Sequence, residues 1–157
     1  MSSWERRNKG VARQFATAEQ LRIQFRKWLQ KGRAKNAELD PQPPREVVSH
    51  LEAGETVQIR VDSTKGTHYW FTDGRLLGED VGDVRELLRF KDVVAAHWMF
   101  KDLWESRLKH LNTGAATARF KQDHFDRLEI ELQGRCVALE GLDQAYIPIL
   151  RFFQWIA

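Results

Sequence analysis

The side chains that could do chemistry in this chain are scattered along it. Five histidines, His50, His68, His97, His110 and His124, lie far apart, and no two stand at the i, i+4 spacing that presents a pair of imidazoles to zinc from one helical face. The densest group is Asp123-His124-Phe125-Asp126, with Glu129 and Glu131 beyond it on one strand face. Carboxylates beside an imidazole suit a divalent cation, and Asp123, His124 and Asp126 are the residues an enzyme built on this chain would use. A solvated loop and strand edge explains the same residues, because charge clusters within a single segment generally face water. Glu129-Ile130-Glu131 also lacks the following lysine of a metal-dependent nuclease strand. The single cysteine, Cys136, shares an apolar strand with Val137 and Leu139, which predicts burial as a small hydrophobe rather than a reactive thiol. No glycine pattern forms a phosphate loop or a dinucleotide fingerprint. The sequence therefore assigns no catalytic residue, no metal site and no cofactor.

Binding chemistry is better represented. Leu21, Phe25, Trp28 and Leu29 follow one another at helical spacing, with Thr17 three residues before Gln20 as in a capping box, and the pattern predicts a helix over 18–35. Arg22, Arg26, Lys27, Lys31 and Lys35 occupy its other faces. An apolar stripe on so basic a helix must be covered by the sheet of its own domain, by a second copy or by a lipid interface. Leu21, Arg22, Phe25, Arg26, Lys27, Trp28, Leu29 and Lys31 are accordingly the candidate interaction surface. Charge is divided in the same sense: residues 1–45 hold 11 Lys/Arg against 4 Asp/Glu, and the remainder 14 against 18, within a total of +3. A partner protein or a homo-oligomer is the expected partner; a basic arm would also suit an anionic membrane or nucleic acid, or serve only to keep the chain soluble.

The elements that must position these groups follow from periodicity. Asp40-Pro41-Gln42-Pro43-Pro44 cannot continue a helix and separates a basic tail with its amphipathic helix (1–43) from a second domain (44–157). A short helix starts near Pro44 and shows Val47, Val48 and Leu51 on one side. From Thr56 the period falls to two: Val57, Ile59 and Val61 alternate with Gln58, Arg60 and Asp62. Further strands are predicted over 67–72, from Arg75 after an Asp73-Gly74 turn, over 93–99, 116–120 and 128–132, and, after Gln133-Gly134, over 136–140. The charged stretch 78–89 is less regular, and Leu103, Arg107, Leu108 and Leu111 lie in a helical insertion. Asp143 is placed to cap a last helix carrying Tyr146, Ile149, Phe152, Phe153 and Ile156. Trp70, Trp98, Trp104 and Trp155 fit a core at strand and helix spacing better than a ligand pocket. Seven antiparallel strands and one amphipathic helix imply an α+β barrel or sandwich, since a flat sheet would leave a face and two edges exposed. One cysteine, no signal-peptide pattern and no apolar run of about 20 residues lead to the expectation of a cytoplasmic domain.

Several of these segments have a familiar order. Gly54-Glu55 opening a strand, Tyr69-Trp70-Phe71-Thr72-Asp73-Gly74-Arg75-Leu76-Leu77 at the second hairpin, Arg89-Phe90-Lys91-Asp92-Val93 entering another strand and Phe125 to Leu132 before the last helix resemble the bacterial pleckstrin-homology-like (PH-like) and GRAM-type domains over about two thirds of the chain. The resemblance implies a seven-stranded PH-like barrel with an N-terminal helical extension, acting as a non-enzymatic binding module. Phosphoinositide-binding members gather several cations around the first hairpin. Here that stretch offers only Arg60, Lys65 and His68 beside Asp62.

Overall fold

The computed structural model describes residues 18–30, 35–100 and 125–157. Helix α1 spans 18–30. Then follow β1 (Ala37–Leu39), the short α2 (Arg45–Val48), β2 (Val57–Asp62), β3 (His68–Thr72), β4 (Arg75–Asp80), β5 (Asp83–Arg89), a 3-10 turn (Phe90–Asp92), β6 (Val93–Phe100), β7 (Phe125–Leu132), β8 (Arg135–Glu140), a second 3-10 turn (Asp143–Ala145) and α3 (Tyr146–Ile156). The described strands form two antiparallel sheets, β1-β2-β3-β4-β5 and β6-β7-β8. The fold class is α+β with a C-terminal helix, and among the described residues no ladder joins the two sheets into a closed barrel.

The alternation read from the sequence sets the faces. Ile59 and Val61 on β2, Tyr69 and Phe71 on β3, and Leu76 and Leu88 on β4 and β5 turn inward, where they meet Leu128, Ile130 and Leu132 of β7 and the apolar side of α3. Phe71 sits at the centre, with ring centroids 6.2 Å from Phe25 of α1 and 6.2 Å from Phe153 of α3, and Phe90 meets Phe152 edge-on at 5.1 Å. Burying each such ring stabilises the fold by roughly 1.5–3 kcal/mol. Because Leu21 and Phe25 belong to this same core, α1 and the strands are one packing unit across the proline linker.

Besides Trp155, expected in the core but 46% exposed on α3, three structural details depart from expectation. The irregular 78–89 stretch is a hairpin: β4 runs on to Asp80 and β5 returns from Asp83, with Val81 (φ 49°) and Gly82 (φ 79°) making the turn. Positive φ at both central residues matches the right-handed twist of the flanking strands. The period-2 pattern was hidden because this hairpin carries charges on its outer face and a register shift between Leu76 and Leu77. Second, Cys136 is exposed. On β8 it points away from the buried Leu139, since its odd-even position places it on the opposite face. Third, Asp143 does not cap α3; it has φ 49° and opens the 3-10 turn, and neither that turn nor α3 carries a side-chain cap.

The helix expected over 18–35 is described over 18–30, and a turn at 35–36 leads into β1, a three-residue strand too short to signal itself. The expected strand 116–120, the insertion around Leu103–Leu111, Thr17 and Trp104 lie outside the described residues. The loop between β2 and β3 docks on the end of β8, where the Thr64 N–H donates to the Gly141 carbonyl at 2.8 Å. Gly141 (φ 67°) is required there, because a Cβ would come within 2.5 Å of Ser63 Oγ. Among the described residues no helix is long and apolar enough to cross a membrane.

Candidate functional site

The predicted interaction surface is divided by the fold. Leu21 and Phe25 are fully buried, and Trp28 is buried with its indole N–H donating to the Gln144 carbonyl at 2.8 Å. Leu29 is half-buried, whereas Arg26 and Lys27 are exposed; Lys31 lies outside the described residues. Arg22 turns back on its own chain, donating to both Asp40 oxygens at 2.5 and 2.7 Å and to Gln58 at 3.0 Å. That hydrogen bonding holds the Asp40 carboxyl below its ordinary range and raises the Arg22 guanidinium. The apolar stripe of α1 is thus covered by the domain's own sheet and last helix, and the side left outside is cationic.

The acidic cluster separates too. Asp123 and His124 lie outside the described residues, as does the side chain of Asp126. Glu129 pairs with Arg127 at 3.0 Å, and Glu131 lies 3.5 Å from His97. Among the described residues no group of three or more His, Cys, Asp or Glu could hold a metal ion. At the first hairpin every cation faces a carboxylate. Lys65 meets Glu140 at 2.7 Å, Arg60 meets Glu38 at 3.0 Å and Asp62 at 3.2 Å, and His68 Nδ1 lies 2.6 Å from Asp62. Cations neutralised in pairs make a poor seat for a multivalent phosphate, which needs several converging on one point.

The outer face of the five-stranded sheet gathers polar groups in two places. At one end, Arg75 is buried and fully engaged. Its Nε and one terminal nitrogen fork onto Glu55 at 2.8 and 2.6 Å, that same nitrogen donates to the His50 carbonyl at 2.5 Å, and the other meets Glu86 at 3.2 Å. Burial alone would raise the Glu55 carboxyl, but the hydrogen bonds from Arg75, the Glu52 N–H and Thr72 outweigh it and hold it below the ordinary value. The bonds to Glu55 push the Arg75 guanidinium up. Thr72 Oγ, also buried, accepts from the Gly74 and Arg75 N–H groups at 3.1 and 2.9 Å and so shapes the β3–β4 turn. Arg89 joins this network through Glu52 and Glu86. The fork fastens the loop after α2 to the sheet, and Val47 then closes a second small core with Trp70, Leu77 and Val84.

Further along the same face lies a shallow, open groove of about 400 Å3. Gln42 and Pro44 of the linker form one wall; Arg60, Asp62, His68, Trp70 and Glu79 from β2, β3 and β4 form the rest. Register explains the grouping: Asp62 pairs with His68 and His68 with Glu79, so the three stand in one row across the strands. Trp70 is only 3% exposed and its indole N–H finds no acceptor. Glu79 is 8% exposed, and its carboxylate has neither a hydrogen bond nor an ion pair among the described residues. Buried polar atoms are nearly always satisfied; the two lining this groove that have no hydrogen bond are the indole N–H of Trp70 and Nε of Arg60, whereas the Glu79 carboxylate oxygens reach solvent.

The sequence contained the alternation that puts Arg60, Asp62, His68, Trp70 and Glu79 on one face. It did not show that Gln42 and Pro44 of the proline linker would border that face. Comparison with protein families, with curated proteins and with solved structures finds no match to this chain.

Proposed function

We propose that this protein is a non-enzymatic PH-like binding module that recognises a segment of another protein in the groove between the proline linker and the outer face of the five-stranded sheet. The observation that carries the reading is the Glu79 carboxylate, which has no hydrogen bond or ion pair among the described residues and borders the open depression beside the proline linker. Groups that lack partners within the chain are available to a partner outside it. The α3 helix packed across β6 and β7, opposite the five-stranded sheet, is the arrangement a PH-like barrel or sandwich requires. The burial of Leu21, Phe25 and Trp28 argues against self-association through the apolar face of α1.

The test is selection of a random peptide display library on the full chain, with a Glu79→Gln variant as the control. Peptides that bind the wild-type protein and not the variant support the module; a library that enriches on neither, or equally on both, defeats it. The alternative partners, an anionic membrane or nucleic acid, draw on the cationic side of α1, where Arg26 and Lys27 are exposed. Sedimentation with anionic vesicles and a mobility-shift assay, both losing their signal steeply as salt rises, would favour that reading instead.

A further inference from the structure

We propose that residues 41–55, the proline linker with α2 and the loop after it, form a strap that opens as a unit while both sheets and the main core stay folded. The outer face of the five-stranded sheet then alternates between a covered and an uncovered state, whatever the groove binds. Backbone chemistry allows this. Among the described residues every backbone–backbone hydrogen bond of the segment closes within it: Val47 and Val48 donate to Pro44, Ser49 to Arg45, His50 to Val47, Leu51 to Val48 and Glu55 to Glu52. Bonds to the sheet resume at its two ends, where the Asp40 N–H donates to Gln58 and Thr56 accepts from the Asp73 N–H. Lifting the strap breaks no strand pairing. Asp40 and Gly54 bound it in loops at the ends of elements, positions of the kind that absorb hinge rotation.

The apolar attachment is equally separate. Within 41–55 Pro41 and Val47 are the buried residues. Val47, with Leu51 at its margin, joins Trp70, Leu77 and Val84 in a small cluster distinct from the main core. The rest of the attachment is a polar clasp: Arg75 donates to Glu55 and the His50 carbonyl, Thr72 to Glu55 and Arg89 to Glu52. A segment with few buried apolar contacts and no shared ladder opens at less than the free energy of global unfolding. The covered state is also incompletely satisfied. The Trp70 indole N–H and Arg60 Nε, which line the groove beside Gln42 and Pro44, are buried without a hydrogen bond. Water that reaches the indole under a lifted strap offsets part of the cost of opening. Opening also removes the linker wall of the groove and bares Trp70, Leu77 and Val84, all buried beneath the closed strap.

The experiment measures access to the covered face, which fraying of the four-residue α2 does not by itself provide. In the full chain carrying Cys136→Ser, since Cys136 is exposed, a single thiol is placed under the strap by Leu77→Cys or in the main core by Leu128→Cys. Labelling by a thiol reagent is timed under native conditions, where its rate is proportional to reagent concentration. Leu77→Cys should label faster than Leu128→Cys by about tenfold or more, the gap between a local and a global opening. Val47→Ala, which removes two buried methyl groups, should speed Leu77→Cys by about a further tenfold. Ile130→Val, in the main core, destabilises the covered and uncovered states alike. It should speed Leu128→Cys several-fold and leave Leu77→Cys unchanged. Should Leu77→Cys not fold, Val84→Cys in the same cluster takes its place. Equal labelling at the two sites, a rate under the strap indifferent to Val47→Ala, or one that follows Ile130→Val in the same proportion as the core overturns the proposal: the face would then be uncovered without the strap or only by global unfolding.

Discussion

Arg75 and Glu79 occupy the same strand, the same face of the sheet and nearly the same depth, 7% and 8% exposed, about 13 Å apart at the rise of a strand. Their surroundings are opposite. Arg75 has Glu55, Glu86 and the His50 carbonyl within hydrogen-bond distance, whereas Glu79 has no such partner among the described residues. A buried ion that is fully engaged holds local structure together; a carboxylate whose oxygens still reach water needs no partner within the chain. The outer face of this sheet is thus divided between a fastening and an end whose carboxylate faces water, and substitutions at its two ends should differ in size.

The largest effect is expected at the fastening. Arg75→Met strands the Glu55 carboxylate, 7% exposed, without its main partner, and breaking a buried ion pair from one side costs about 3 kcal/mol. Urea unfolding should show this loss, and Arg75→Met combined with Glu55→Met should recover part of it, since no charge is then left alone. Equal costs for the single and double variants would mean that Arg75 acts by packing alone.

Acid should expose the same dependence. Glu55 has its carboxyl held below the ordinary value, so its contribution to stability is complete above the unfolded-state value and is lost as pH falls through the lower folded-state value. In Arg75→Met the principal bond opposing desolvation is gone, so the acid limb of the stability curve should move to higher pH. Thermal melts between neutral pH and pH 3 read both curves, and superimposable acid limbs would remove Glu55 from the account.

How much of this contrast was legible beforehand depends on chain distance. Val57, Ile59 and Val61 announced their strand, Asp73-Gly74 its turn, Tyr146 to Ile156 the last helix and Asp40 to Pro44 a break, because each is a local pattern that backbone chemistry reads directly. Contacts between distant segments left no such trace. Glu55 meets Arg75 across 20 residues, and Pro44 meets Glu79 across the groove only because the linker folds back. The helix α1 lies between: its stripe of Leu21, Phe25 and Trp28 showed that something must cover it, but not that Phe71 and Gln144 would. Val81-Gly82 was missed for a different reason, since valine is a poor signal for a turn that asparagine would have advertised.

That turn, just beyond Glu79, allows a smaller effect of opposite sign. Val81 is fully exposed with φ 49°, a conformation in which a β-branched side chain is strained and asparagine is at ease. Val81→Asn should stabilise the fold by roughly 0.5–1 kcal/mol without touching the groove, measurable as a raised denaturant midpoint at unchanged slope. A loss of stability would mean that the exposed valine has a role in packing.

The smallest effect is expected at the Glu79 end. Glu79→Gln keeps the shape of the side chain and removes a charge that no described group neutralises, so the folded state forfeits no ion pair. Stability near neutral pH should stay within about 0.5 kcal/mol of the wild-type value, the ordinary range for a substitution that breaks no specific contact. Arg75 would then be indispensable to folding and Glu79 dispensable, although both are charged and buried to the same degree on one strand. A loss above roughly 1 kcal/mol would reveal that Glu79 is satisfied within the chain, and the two ends of the face would then have the same structural role.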